Sequence, residues 1–356
     1  MTIKKLSLAV FLVATSASVN AVDLGEFDGT RFSIGGYVKA EGVYKIPDKD
    51  DVQFAGSARQ SRLNFSALRE IEGHKVKGFI ETDFWDNVNV KGDSTFGLRL
   101  RHAFISVDNL TLGQTWNGQF FASAPFDAEM LDFWGPGAGT IAGNGAVVRP
   151  KLVMHYVSDG LRLTLQDPVN ADASHPDMVA SYTVRTDSGH GFNLAMTGRD
   201  VATLNGDSEF GAALSLAAKF KLGQTSLSLT GFGGEGSAVY AGWGYNGPFG
   251  SRPMDVNAEG DLITTTGFST GVTHKFSNKL RGTLRYGQDR AGEVAAGVAD
   301  TLKVSTANLV YTYLPGLDFG LELRDQNATT LPSSVFAASA ARDAGKQVEV
   351  MAMYKF

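Results

Sequence analysis

The 356-residue chain carries a formal charge of −5 at pH 7, has no cysteine, and holds 42 glycines against 10 prolines. That length admits two ordinary domains or one large all-β domain. The missing cysteine excludes disulfide frameworks and thiolate metal sites, the acidic balance argues against a nucleic-acid partner, and the glycine excess suits a chain with many tight turns.

The first element is an export signal. Lys4 and Lys5 make a basic start, Leu6 to Val13 an apolar run, and Val19-Asn20-Ala21 a small-residue cleavage site, the order expected of a secretory signal over residues 1–21. The apolar run falls well short of the ~20 residues that cross a bilayer as a helix. Residues 22–356 are expected to form one domain, exported through that cleaved signal.

From there the chain alternates with a period of two. "RFSIGGYVKAEGVY" sets Phe32, Ile34, Val38, Ala40 and Tyr44 against Arg31, Ser33, Lys39 and Glu41. "SRLNFSALR" sets Leu63, Phe65 and Ala67 against Arg62, Asn64 and Ser66, and "FGLRLRHAF" sets Leu98, Leu100 and Phe104 against Arg99 and Arg101. "LRLTLQ" and "LDFGLELRD" repeat the pattern, and "VEVMAMYKF" ends it with Val348, Val350, Ala352, Tyr354 and Phe356 on the apolar face. Strict alternation argues half-buried strands. Sixteen runs follow: 31–44, 59–71, 74–85, 96–108, 109–116, 146–157, 160–167, 178–186, 190–200, 209–222, 224–234, 263–276, 279–289, 301–313, 316–326 and 346–356.

The connections alternate too. Short ones such as Glu72-Gly73, Asp108-Asn109 and "SDG" at Ser158 take turns with long ones, 45–58, 86–95, 117–145, 168–177, 201–208, 235–262, 288–300 and 327–345. An even strand count with tight turns at one end and long loops at the other is the pattern of a bacterial outer-membrane barrel, apolar outside and polar within. In lipid every backbone donor and acceptor must be paired inside the protein, which closure achieves without an edge. The fold expected is therefore all-β, a transmembrane antiparallel barrel of about 16 strands with outer-membrane lipid as its partner. Terminal Phe356, with Tyr354, resembles the signal by which the barrel-assembly machinery recognises such chains. A soluble sandwich or lipocalin-like barrel would need its polar face outward, and sixteen strands would enclose more volume than these side chains fill.

Sixteen strands leave a water-filled lumen, so function depends on its lining. The third long connection, 117–145, holds Phe120, Phe121, Phe126, Phe133 and Trp134 with the acids Asp127, Glu129 and Asp132. Aromatics in a loop need burial, and folding back inside the barrel supplies it while narrowing the passage. Arg62, Arg99 and Arg149 each fall about three residues into alternate runs, and Arg101 and Lys151 follow ~7 Å further along. Together with Arg162 they are expected to form a basic arc that attracts small anionic solutes, facing the loop's acids. Glu81 and Asp83 lie on the run between and can instead pair with Arg62 and Arg99, so anion guidance and internal pairing both stay open.

Other motifs lack context. "GFGGEG" from Gly231 to Gly236 opens no helix, the six histidines show no metal-ligand spacing, and nothing singles out a nucleophile and base. No cofactor is called for and no enzyme is expected. The alternatives are a weakly selective porin or, in a different class, a barrel enzyme or surface adhesin.

The stretch "LTLGQTWNGQFF…MLDFWGPGAG…VVRPKLVMHY" resembles the DcaP-type porins, most specifically at Gly113-Gln114-Thr115-Trp116, Leu131-Asp132-Phe133-Trp134-Gly135-Pro136 and Arg149-Pro150. The resemblance implies a homotrimeric outer-membrane channel whose third loop folds inward, associated with uptake of dicarboxylates and other small anions. Members of that family usually carry Gln and a second Arg where this chain has Lys151 and His155.

Overall fold

Alternation becomes two faces. Along Ser208–Leu222, Ala213, Ser215 and Ala217 are buried while Leu214 and Leu216 stand exposed, because successive side chains of a strand point to opposite sides of its sheet. At the C-terminus Glu349, Met351 and Met353 are buried, whereas Val350 and Tyr354 are about half exposed.

The computed structural model describes residues 21–86, 97–131, 149–168, 173–203, 206–240, 255–257, 259–294, 299–328 and 344–356. In chain order its elements are β1 (Val22–Phe27), β2 (Thr30–Pro47), β3 (Gln53–Ser57), β4 (Arg62–Ile71), β5 (His74–Asp86), β6 (Gly97–Val107), β7 (Leu110–Gln114), α1 (Gly118–Ser123), β8 (Val153–Ser158), β9 (Leu161–Gln166), β10 (Asp177–Arg185), β11 (Gly191–Ala202), β12 (Ser208–Leu222), β13 (Thr225–Glu235), β14 (Thr264–Lys275), β15 (Leu280–Ala291), β16 (Thr301–Leu314), β17 (Leu317–Gln326) and β18 (Gly345–Lys355).

From β4 onward each strand pairs antiparallel with the next, and β18 closes on β2 from Lys355↔Tyr37 to Gly345↔Pro47. β3 and β4 are two parts of one stave, pairing with the far and near parts of β2. Counting them together, and setting β1 aside, the closed barrel has sixteen staves. Its outward face carries exposed large apolar side chains all round, among them Leu98, Ile105, Leu163, Met196, Leu216, Leu284, Leu309 and Leu321. A soluble monomer rarely exposes an apolar patch beyond a few hundred Å². Hydrocarbon covers this belt. Among the described residues no helix is long and apolar enough to cross a membrane.

The seam carries one demanding position. Gly36 N–H donates to the Phe356 carbonyl at 3.0 Å, and Phe356 N–H returns the bond at 3.2 Å. Gly36 has φ +152°, and a Cβ there would meet the Arg62 carbonyl oxygen at 2.1 Å.

Four local departures from the period-two reading have physical causes. β1, which precedes the first expected run at 31–44, pairs with β2 as Val22↔Ile34 to Phe27↔Thr30, and a bulge between Asp23 and Gly25 breaks the alternation that would have revealed it. The expected run 59–71 begins as a strand only at Arg62, with β3 preceding it inside the loop read as 45–58. In β6 a register shift opposite Glu81 and Thr82 changes parity after Arg101, so His102 and Phe104, read as outward, are buried. The expected run 146–157 begins only at Val153. Pro150 has no N–H to give a ladder, so Arg149 and Lys151 precede the strand and do not lie on it, contrary to expectation.

Two measurements check this architecture. Leu216→Arg, near the middle of the apolar belt, is expected to cost about 2–4 kcal/mol in reversible unfolding from lipid vesicles. Gly36→Val, which strains the backbone by roughly 1–3 kcal/mol before the clash is counted, is expected to abolish or sharply lower the yield of the folded form that migrates faster on gels before heating.

Candidate functional site

The wall is lowest at β7, β8 and β9, which are 5, 6 and 6 residues long, and the third loop leaves it there. Two histidines hold the exit. His102 Nδ1 lies 3.0 Å from Thr115 Oγ1, and His155 donates from Nε2 to the Trp116 carbonyl at 2.9 Å while its Nδ1 accepts from Thr164 Oγ1 at 2.8 Å. A carbonyl can only accept, so the proton of neutral His155 sits on Nε2. Asn117 Oδ1 then caps α1 by accepting the Phe120 N–H at 2.7 Å. Gly118 lets the helix approach the wall, since a Cβ there would lie 2.6 Å from that of Val179. Ala122 packs in a buried cluster with Val179 and Ala195.

The aromatics expected to need burial find it on the inner wall. Phe121 and Phe126 are buried, and half-buried Phe120 stacks on Trp116 with centroids 3.9 Å apart and planes 9° apart. Asp132, Phe133 and Trp134 lie outside the described residues.

Beyond α1 the chain is anchored stave by stave. Asp127 takes a bidentate pair from Arg285 on β15, at 2.9 and 2.8 Å, and a bond from Ser269 Oγ at 3.1 Å. Its carbonyl accepts from Lys219 Nζ on β12 at 2.8 Å. Glu129 pairs bidentately with Arg281 at 2.7 and 2.7 Å. Leu131 gives its N–H to Glu322 at 2.8 Å and its carbonyl to Lys39 Nζ at 2.9 Å. The segment therefore traverses the lumen from β9 to β2. Asp127 and Glu129, expected to face the basic arc, are matched one to one by arginines of the far wall.

On the near wall, Arg99 and Arg101 of β6 meet Asp83 and Glu81 of β5. Arg99 binds Asp83 bidentately at 2.9 and 2.6 Å, and Arg101 reaches Glu81 at 2.8 Å and Asp83 at 3.0 Å. Arg62 of β4 lies 4.0 Å from Glu81 and 5.1 Å from the Tyr37 ring centroid. Arg149 stands over Trp116 at 4.7 Å, and among the described residues its charged neighbours are Arg101, Arg99, Arg62 and Asp83. Four guanidiniums thus gather round two carboxylates. Arg162 on β9 covers Phe121 at 3.9 Å. Lys151 is exposed in the bend before β8.

Sequence reasoning missed a second inward segment. The connection after β13, marked in the sequence only as the long connection 235–262, has Ser237, Ala238, Val239 and Tyr240 at its start and Asp255 and Val256 near its end, none more than 1% exposed. Lys39 and Gln166, both buried and both bonded to the third loop, were also unmarked. The available signal was the aromatic run after Ala238, where Tyr240 is followed by Trp243, Tyr245 and Phe249, the same feature that marked the third loop.

No family model and no curated protein matches the chain. Solved structures do. The outer membrane channel DcaP of Acinetobacter baumannii is similar over 93% of this chain and 99% of its own, with a TM-score of 0.75 at 20% identity. OmpF of Salmonella typhi, in complex with daunomycin, is similar over 94% and 100% with a TM-score of 0.66 at 14% identity. OmpT of Vibrio cholerae, expressed in the outer membrane, gives 0.64 over 93% and 99% at 14% identity. At such identities the likeness is one of fold: the chain is a sixteen-stranded barrel of the kind found in outer-membrane channels and porins.

The two anchors of the loop differ in burial, which sets an expected order. The Asp127–Arg285 side chains are 11% and 0% exposed, and those of Glu129–Arg281 are 35% and 23% exposed. Removing one partner of a buried pair costs about 3–5 kcal/mol, whereas a half-exposed pair contributes about 0–1 kcal/mol. Unfolding in denaturant is expected to show Asp127→Ala as much the more damaging; equal effects would contradict the assignment of anchors.

Proposed function

We propose that the protein is an outer-membrane porin for passive diffusion of small hydrophilic solutes, preferring anions such as dicarboxylates or acidic sugars, and not an enzyme. The observation that carries the reading is the cluster of four guanidiniums round Glu81 and Asp83, beside Trp116 where the infolded loop enters the lumen. Excess positive charge at a narrowing favours anions, and low-dielectric walls focus its field. Guanidinium forks also suit carboxylates.

The fold shared with outer-membrane channels and porins supports a location in that membrane. One of the similar structures is a trimer form of OmpT of Vibrio cholerae, which supports a homotrimer here. Export by residues 1–21 and assembly through Phe356 belong to the same proposal. Glu81 and Asp83 neutralise part of the arc, which is the observation favouring a weakly selective porin as the second reading.

Reversal potentials in planar bilayers across a salt gradient separate the two. Anion preference is expected for the wild type, and Arg149→Gln is expected to move the potential towards zero. Among the described residues Arg101, Arg99 and Arg62 act on Arg149 against the single opposing charge of Asp83, so its neutralisation relieves like-charge repulsion. A cation-selective wild type sinks the anion reading.

A further inference from the structure

The connection between β13 and β14 is tied to the third loop through a chain of buried side chains. Arg199 on β11 is the post. It donates from Nη1 to the Gly236 carbonyl at 2.9 Å and to the Asp255 carboxylate, and its Nε lies 3.4 Å from Asp177 of β10. Asp255 Oδ1 accepts the Val239 N–H at 3.0 Å. Both described ends of the connection are thereby drawn against the wall, which carries the Tyr240 hydroxyl inward.

That hydroxyl donates to Asp177 and accepts from Gln166 Nε2 at 2.8 Å. Gln166, 1% exposed at the end of β9, turns its remaining capacity on the third loop. Its Nε2 also donates to Gln119 Oε1 at 3.2 Å, and its Oε1 accepts the Gly118 N–H at 3.0 Å. An amide side chain offers two donors and one acceptor oxygen, and Gln166 places all of them between the two segments. The Gly118 N–H is one of the donors that the first turn of a helix cannot satisfy internally. Its partner therefore helps fix where α1 starts, and with it the Trp116–Phe120 stack at the loop's entry.

We infer that Gln166 and Tyr240 form a clamp through which the β13–β14 connection positions α1, making this second inward segment a determinant of solute size exclusion. The inference rests on the channel reading for its functional consequence, and the clamp itself on the bonds just described. Gln166 and Tyr240 act through α1 and are positioning residues.

Tyr240→Phe keeps the ring and loses the hydroxyl; Gln166→Leu keeps the bulk and loses the amide. In bilayers both are expected to give noisier open-channel currents. In liposome swelling, larger neutral sugars should enter severalfold faster than in wild type, with the smallest sugar unchanged. The double variant should not exceed the stronger single one, because both remove one coupled unit. Wild-type noise and size cut-off in both variants, or additive effects in the double, would overturn the clamp. Chymotrypsin cleavage beside Phe120 and Phe121 on the folded barrel reads the same clamp without a current, and is expected to accelerate in both variants. A wild type that never conducts removes the channel reading, while unchanged cleavage rates remove the clamp whether or not the protein conducts.

Discussion

Everything in this barrel follows from the cost of leaving a backbone N–H or C=O without a partner in hydrocarbon, several kcal/mol for each group. A sheet obeys that constraint only by closing, and closure makes the first and last strands depend on each other. The two hydrogen bonds between Gly36 and Phe356 are where this dependence becomes local. Only a residue tolerant of positive φ, without a Cβ to meet the Arg62 carbonyl, can serve both β18 and β4 at that point. Below it β1 takes over the same edge of β2, so the strand stays paired on that side from Thr30 to Pro47 with only Gly35 changing neighbours.

Closure then creates a problem of the opposite kind. Sixteen staves enclose a lumen that wall side chains cannot fill, and the inward residues of strands such as β12 are as small as Ala213, Ser215 and Ala217. The described part of the third loop, Asn117 to Leu131, occupies that space by packing on the inner wall. Ala122 rests on Val179 and Ala195, and Leu131, the last described residue of the loop, rests on Tyr37, Met351 and Met353 at the seam and on Val310 of β16. Between them, alongside buried Phe126 and Ala128, two ion pairs with Arg285 and Arg281 tie the segment to the wall. Buried ion pairs contribute little net stability but are costly to break singly, so they hold the segment in one register. That is the property a fixed aperture needs.

Much of the wall was legible because period-two alternation is a direct image of a two-sided environment. The termini of β10 through β18 fall within a residue or two of the runs read from the sequence, since those strands are regular. The misses share one cause, a local break in pairing that alternation cannot report: the bulges at Gly25 and in β6, the interruption before Arg62, and Pro150. Met351 and Met353, apolar residues on the face read as wetter, were a visible anomaly, and Leu131 explains it. The site was less legible. Arg62, Arg99 and Arg101 could be placed by parity, but their carboxylate partners depend on register between strands. The burial of Ser237–Tyr240 depends on Arg199 and Asp255, far apart in sequence and carrying no periodic signal.

The lumen arginines divide by what holds them, and that division bears on selectivity. Arg99, Arg101, Arg281 and Arg285 are gripped by carboxylates, each grip cancelling charge as it fixes geometry. Arg149 and Arg162 are held over the faces of Trp116 and Phe121. An aromatic face orients a guanidinium through its quadrupole and does not cancel its positive charge as a carboxylate does. A channel that must be both narrow and attractive to anions needs rigid walls and uncancelled charge together. Carboxylates alone would supply the first and destroy the second. On the proposed anion reading the aromatics at the loop's root would meet both demands, because rings packed on the inner wall fix those two cations without cancelling them.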